Sequence, residues 1–186
     1  FWFPESQFGC VPGIVQTRVG YTGGHKINPT YTSLGGHTET LQVEYDPKQT
    51  NYSNLLKVFW EGHDFATKRT SQYKSAIFYH NQEQKRLAEE SAKEVQMKSG
   101  RRVATEILPA EDFYDAEDYH QKYRLRGYGK ILRLLQLNDQ ELKDSQVAAR
   151  LNGYLGANGT KENFDEEVKE LKISSEVANM VRKLVF

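Results

Sequence analysis

The chain has little cysteine, no net charge and no long apolar run, and each shortage narrows what it can be. Its 186 residues contain one cysteine, Cys10. An internal disulfide is excluded, and the usage fits a reducing compartment; a cytoplasmic protein is expected, with a mitochondrial location as the alternative. Lysine plus arginine and aspartate plus glutamate each number 25, so the formal charge is zero. Nucleic-acid binding draws on a basic excess, so no nucleic-acid partner is expected. No run reaches the length of a membrane span, so no membrane association is expected either. No charged-then-apolar leader is present, and the sequence opens on Phe1 rather than Met, which implies a processed form or a fragment. The histidines, at 25, 37, 63, 80 and 120, form no pair at spacing four around a glutamate, which argues against a zinc hydrolase. Gly23-Gly24 lacks the Lys and Ser/Thr of a phosphate loop, and no serine sits in a nucleophile elbow. No metal site is expected.

What is present points to a packed domain. Hydrophobic residues make up 38% and aromatics 12%, enough to rule out simple disorder. Ile14 to Tyr21 and Thr38 to Tyr45 alternate as strands do. Ser53 can cap a helix carrying Leu55, Leu56, Phe59 and Trp60 at helical spacing. Ser75 to His80 reads as a third strand, Gln82 to Lys98 as a polar helix stopped by Gly100, and Val103 to Leu108 as a fourth strand closed by Pro109. Residues 11–110 thus run β, β, α, β, α, β, too few units for a doubly wound sheet. The expected class is α+β: a two-layer arrangement of mixed sheet and helices, with a ferredoxin-like core. From about residue 124 the character changes, and 138–155, 161–172 and 175–185 read as helices of a C-terminal extension. Leu151, Tyr154, Leu155, Phe164, Val168, Leu171 and Val181 would supply its packed face. The expected division is a core over residues 1–126 and a helical extension over 127–186 packed on it.

Five loop segments stand out: Phe1-Trp2, Gly20 to His25 with Asn28-Pro29-Thr30-Tyr31, Gly36-His37-Thr38-Glu39, Gln72-Tyr73-Lys74-Ser75, and Phe113 to Gln121. In this order and spacing they resemble the peptide methionine sulfoxide reductase A family, over Phe1 to about Arg126. The helical tail resembles that of some members, mostly animal-type ones. The resemblance implies an oxidoreductase. A cysteine thiolate attacks the sulfur of methionine S-sulfoxide, free or in proteins, the oxygen is protonated as it leaves, and a sulfenic acid forms on the enzyme. Another thiol, commonly thioredoxin, then reduces that acid. No bound cofactor takes part, and the enzyme would act as a monomer on oxidised proteins or free methionine sulfoxide, in protein repair under oxidative stress.

The chemistry can be weighed residue by residue. A sulfoxide oxygen is a strong acceptor without a proton, so it needs donors. A carboxyl buried without a cation keeps its proton to higher pH and can serve as the acid. The resemblance gives that role to Glu39 and makes Tyr31 and Tyr73 phenol donors to the same oxygen. Phe1 and Trp2 would form an apolar cage around the S-methyl group, since sulfur packs well against aromatic rings. Taken singly, each has a plainer reading: a solvated glutamate, packing tyrosines, a terminal aromatic staple. Only their joint occurrence lifts them. His37 is expected to bond a backbone group and shape its loop, while His120, Glu117 and Asp118 are expected to be structural.

The departures from the family pattern are as informative. The family's reactive cysteine directly precedes its Phe-Trp pair, so that position, for cysteine or the selenocysteine of some members, falls immediately before Phe1. A true lack of a nucleophile is the third explanation. The glycine after the pair is Phe3, which would enlarge the cage, and Glu5 matches a glutamate common in the first helix. An aspartate found in many relatives five residues before the second tyrosine is Lys68. No cysteine follows Cys10, so an intramolecular disulfide step is not expected. At about 1.5 Å per helical residue Cys10 should lie more than about 10 Å from the pocket, a core thiol rather than a substitute nucleophile. The rival to the enzyme is a non-catalytic module that binds oxidised methionine in peptides; a scaffold whose tail binds another protein is a third reading.

Overall fold

The computed structural model describes residues 1–186. Nine helices and five strands follow in the order α1 (Trp2–Gly9), β1 (Ile14–Thr22), β2 (Thr38–Tyr45), α2 (Tyr52–Glu61), β3 (Ala76–Tyr79), α3 (Gln82–Ser99), β4 (Glu106–Pro109), β5 (Tyr114–Asp115), α4 (Tyr123–Arg126), α5 (Gly129–Leu135), α6 (Asp139–Asp144), α7 (Gln146–Leu155), α8 (Lys161–Glu167) and α9 (Ser175–Val185). The class is α+β, as expected. The strands do not close into one mixed sheet: β2-β1-β5 form one sheet and β3-β4 another. β1 and β5 are antiparallel, with Tyr21 opposite Tyr114, whereas β3 and β4 are parallel, with Ile77 opposite Ile107. Bonds from Glu106 N–H to the Ser75 carbonyl and from Ala110 N–H to the Tyr79 carbonyl bracket that ladder, so Pro109 stands at an alternate position where no N–H to β3 is needed. No helix is long and apolar enough to cross a membrane.

Contacts group the chain into two units: Phe1–Val19, Leu41–Gln49 and Glu117–Phe186 in the first, Gly20–Thr40 and Thr50–Ala116 in the second. The helices after residue 127 therefore share a unit with α1 and β1 up to Val19.

The first unit has its core among α1, α4, α7 and α9, where Leu125, Ile131, Leu151, Tyr154, Phe164 and Val181 are fully buried. Of the tail's expected packed face, Leu151, Tyr154, Leu155, Phe164 and Val181 are buried, and Val168 packs against them. α1 lies so close to α7 that a Cβ on Gly9 would come within 2.3 Å of the Ala149 carbonyl oxygen, and one on Gly153 within 2.4 Å of the Cys10 nitrogen. Only glycine permits that approach. The expected helix over 138–155 is two helices. Ser145 breaks it with extended backbone and then caps α7 by accepting the Ala148 N–H. Asn138 starts α6 with a capping box to Glu141.

A buried ion pair ties this unit together. Glu5 of α1 and Lys122, just before α4, are both wholly inaccessible to water, with Nζ 3.0 Å from Oε1. Glu5 also accepts the Lys122 backbone N–H at 2.8 Å and the Thr17 hydroxyl at 3.2 Å. The ammonium donates to the carbonyl oxygens of Thr17 and Lys143, at 2.6 and 3.0 Å. Burial pushes the Lys122 ammonium down, and the Glu5 carboxylate opposes that shift. Lys122 takes this place at φ +54°, in the left-handed region that side-chain-bearing residues seldom occupy. Next to it Gln121 acts as a substitute strand: its amide accepts the Val19 N–H and donates to the Val19 carbonyl.

In the second unit α2 and α3 pack with the β3-β4 pair around Leu56, Trp60, Ile77 and Ala88. The cap of α2 is Asn51, which accepts the Asn54 N–H; Ser53, expected in that role, lies inside the first turn. Asn caps as well as Ser, and sequence spacing alone does not separate the two. α3 ends at Gly100 with φ +67°, as its sequence implies.

Leaving one partner of a buried pair alone costs about 3–5 kcal/mol, so Lys122→Met should lower unfolding free energy by about that amount in urea denaturation. The double variant Glu5→Leu, Lys122→Met should recover most of the loss, because no uncompensated charge remains. A Lys122→Met protein as stable as the native one would show that the pair does not hold α1 in place.

Candidate functional site

The expected donors come together in the second unit. His37 is buried and sets their loop. Its Nδ1 accepts the Gly24 N–H at 3.1 Å, and its Nε2 donates to the Lys26 carbonyl oxygen at 2.8 Å. A ring that accepts on one nitrogen and donates on the other is neutral. The backbone around Gly24 approaches so closely that a Cβ there would lie 2.3 Å from the His37 nitrogen. Glycine is required at that point. His37 thus does the shaping expected of it and delivers Thr38 and Glu39 to the start of β2. Thr38 then donates its hydroxyl proton to the Ser71 carbonyl at 2.9 Å, which draws in the turn Ser71–Tyr73. Within that turn Gln72 donates to the Glu39 carboxylate at 2.9 Å. Glu39 is half-buried.

Tyr31 sits in a tight reversal, where Thr30 and Ser33 exchange backbone hydrogen bonds. It reaches Tyr73: a hydrogen bond to Tyr31, followed by partial loss of hydration and the negative charge of Glu39, raises the Tyr73 phenol to about 12. Tyr73 therefore holds its proton throughout the neutral range. The three donors predicted from sequence form one connected set, Tyr31 to Tyr73 with Glu39 beside them and Gln72 on Glu39. Both phenols remain open to solvent, Tyr31 at 37% and Tyr73 at 52% exposure. Lys68 is exposed.

Phe1 and Trp2 lie in the first unit, at the N-terminus of α1. Phe1 is the N-cap, and its carbonyl accepts the Glu5 N–H. Both rings are half-buried. The Trp2 indole stacks on Tyr123 with centroids 3.6 Å apart and parallel planes, and its N–H donates to Nδ1 of His120 at 3.0 Å. Phe1 meets the His120 ring edge-on at 5.0 Å. Phe3 is exposed, at 49%. Three side chains to which the sequence assigns no site role contact site residues: Gln72, His120 and Tyr123. Gln72 and His120 stand in the distinctive loop strings and Tyr123 just after one of them, so the strings held the signal.

Cys10 ends α1 and is buried. Burial pushes its thiol up to about 11, against the opposing pull of Arg150. That is the inert core thiol expected. No group of three or more His, Cys, Asp or Glu side chains is placed to hold a metal ion.

Known proteins resemble the chain along nearly its whole length. The family described as Peptide methionine sulfoxide reductase matches residues 1–151, and that described as Selenoprotein methionine sulfoxide reductase A, helical domain, matches residues 136–185. The peptide methionine sulfoxide reductase of Drosophila melanogaster is 41% identical over 177 residues, covering 94% of this chain and 72% of its own. That of Methanothermobacter thermautotrophicus is 48% identical over 153 residues, covering 73% of this chain and 89% of its own. The crystal structure of Mxr1 from Saccharomyces cerevisiae in reduced form is 30% identical, with a TM-score of 0.63 over 70% of this chain and 81% of that one.

A thiol held near 11 and shielded from solvent should not alkylate at neutral pH. Native protein treated with iodoacetamide at pH 8 should show Cys10 unmodified by peptide mass spectrometry, and unfolded protein should show it fully modified. Rapid native labelling would remove Cys10 from the core.

Proposed function

This chain belongs to the peptide methionine sulfoxide reductase family, and from that premise we propose how its own residues carry the reaction. The reaction is the reduction of methionine S-sulfoxide, free or in proteins, to methionine. The observation that carries the proposal is the connected donor set of Tyr31, Glu39 and Tyr73. The attacking thiolate or selenolate belongs to the position before Phe1. The N–H groups of a helix's first turn stabilise an anion there, which is support for a lowered pKa at that position. As the nucleophile attacks sulfur, the S–O bond weakens and its electron pair moves to oxygen. Glu39 supplies a proton to that oxygen, and the Tyr31 and Tyr73 phenols donate hydrogen bonds to it. The released oxygen, as water, then attacks the nucleophile atom and loses a proton; the bond between nucleophile and substrate sulfur breaks with its electron pair on the departing methionine, and the nucleophile keeps the oxygen as a sulfenic (or selenenic) acid. The stacked Trp2 ring and the Phe1 ring take the apolar methyl group.

The enzymes of this family are reset by thiol reductants. We assign thioredoxin or a comparable small thiol directly to the sulfenic acid: a first thiol displaces water to give a mixed disulfide, and a second releases the nucleophile. The buried, high-pKa Cys10 supports this direct route, because it is poorly placed to resolve the intermediate. We assign a monomer acting in the cytoplasm, with a mitochondrial location as the alternative. Binding without chemistry is the disfavoured reading, since the relatives are reductases over the length that this chain shares with them.

General acids contribute about 10²- to 10⁴-fold, so Glu39→Gln should slow reduction by about that factor. The binding constant for methionine sulfoxide should change little, because the proton matters mainly in the transition state. Equal losses in rate and binding would remove Glu39 from the acid role. Cys10→Ser should keep thioredoxin-dependent turnover; its loss would make Cys10 the resolving thiol.

A further inference from the structure

His120 was expected to be structural, yet its surroundings are not those of a filler. It is 1% exposed, and both rings of the methyl-binding pair rest on it: Phe1 edge-on at 5.0 Å and Trp2 tilted at 5.6 Å. An indole N–H can only donate. The 3.0 Å contact from Trp2 Nε1 therefore requires Nδ1 of His120 to present a lone pair, and the ring must be neutral with its proton on Nε2. Nε2 lies 3.9 Å from the Glu117 carboxylate, too far for a hydrogen bond but near enough to favour the proton on that nitrogen. The imidazole is itself held between neighbours, with Tyr119 against its ring at 4.0 Å and Gln121 next in sequence bonded to both backbone groups of Val19. Trp2 is thus clamped twice, in its plane by the Tyr123 stack and in its rotation about that plane by the His120 acceptor.

We propose that His120 is a positioning residue of the reductase site, whose neutral Nδ1 fixes the rotation of the Trp2 indole that receives the S-methyl group of the substrate, with Glu117 setting the tautomer. This rests on the reading of Phe1 and Trp2 as the methyl cage. His120 itself touches no reacting atom. A cage that binds ground state and transition state alike acts on KM more than on kcat. Loss of the acceptor should therefore raise KM while kcat changes little, the reverse of the pattern expected for a proton donor.

The test compares His120→Leu, which removes the acceptor, with His120→Asn, whose side-chain oxygen falls near the Nδ1 position. Steady-state reduction of methionine S-sulfoxide by the full-length protein gives the kinetic split. The two indole N–H signals in a nitrogen-correlated NMR spectrum give the structural one, because Trp60 donates to Ser91 and serves as an internal control. His120→Leu should raise KM about tenfold with kcat within threefold, and should speed solvent exchange of the Trp2 indole proton while that of Trp60 stays put. His120→Asn should restore most of the affinity and of the indole protection. Equal behaviour of the two variants, or a kcat loss larger than the KM change, would overturn the positioning role. Unchanged Trp2 exchange in His120→Leu would overturn it as well. Native protein that reduces no methionine sulfoxide at all would instead sink the functional reading on which the proposal rests.

Discussion

A carboxylate and an ammonium taken wholly out of water hold the first unit in register. Glu5 and Lys122 are 117 positions apart, and the pair would be costly to bury without its full set of bonds. Those bonds are present: Glu5 takes the Lys122 ammonium, the Lys122 N–H and the Thr17 hydroxyl, and the ammonium also reaches two carbonyls. One pair thereby fixes α1, the start of β1 and the segment leading into α4. That matters because Phe1 and Trp2 stand at the head of α1, and His120 and Tyr123 flank Lys122. The electrostatic tie places the aromatic groups, and the stacking and hydrogen bonds among them then refine their orientation.

The donor set is built differently. It sits on loops, and loops need their backbone groups satisfied by something other than a ladder. His37 answers for Gly24 and Lys26, and Thr38 for Ser71. Two exposed phenols result, one of which holds its proton to about 12 because it bonds the other beside a carboxylate. This is chemistry suited to an acceptor that brings no proton. It also leaves both phenols accessible from solvent.

Much of this was readable from the sequence, and the reasons it failed elsewhere are physical. Strand alternation located β1 and β2 to within a residue or so, and Gly100 marked the end of α3 because positive φ is a local demand. The grouping of Tyr31, Glu39 and Tyr73 follows the loop strings around them, and the loop-shaping role of His37 was legible there. The Glu5–Lys122 pair was not, since nothing periodic connects residues so distant, and a lysine at φ +54° is held there by tertiary bonds rather than by preference. Ser145 splits the expected helix over 138–155 because it takes extended backbone and caps α7, a local choice that residue spacing does not reveal. The part His120 plays in holding Trp2 depends on which ring nitrogen faces the indole, a detail of geometry that residue identity does not contain.

The central claim is that one nucleophile, at the position before Phe1, takes oxygen from methionine S-sulfoxide with Cys10 as a bystander. A single turnover without reductant tests it most directly, by intact and peptide mass spectrometry of the full-length protein. One methionine should be released per protein, one oxygen gained (or its condensation product with a trapping reagent) on the residue directly before Phe1, and the R epimer should not react. Oxygen appearing on Cys10, or methionine released with the position before Phe1 unmodified, would contradict it.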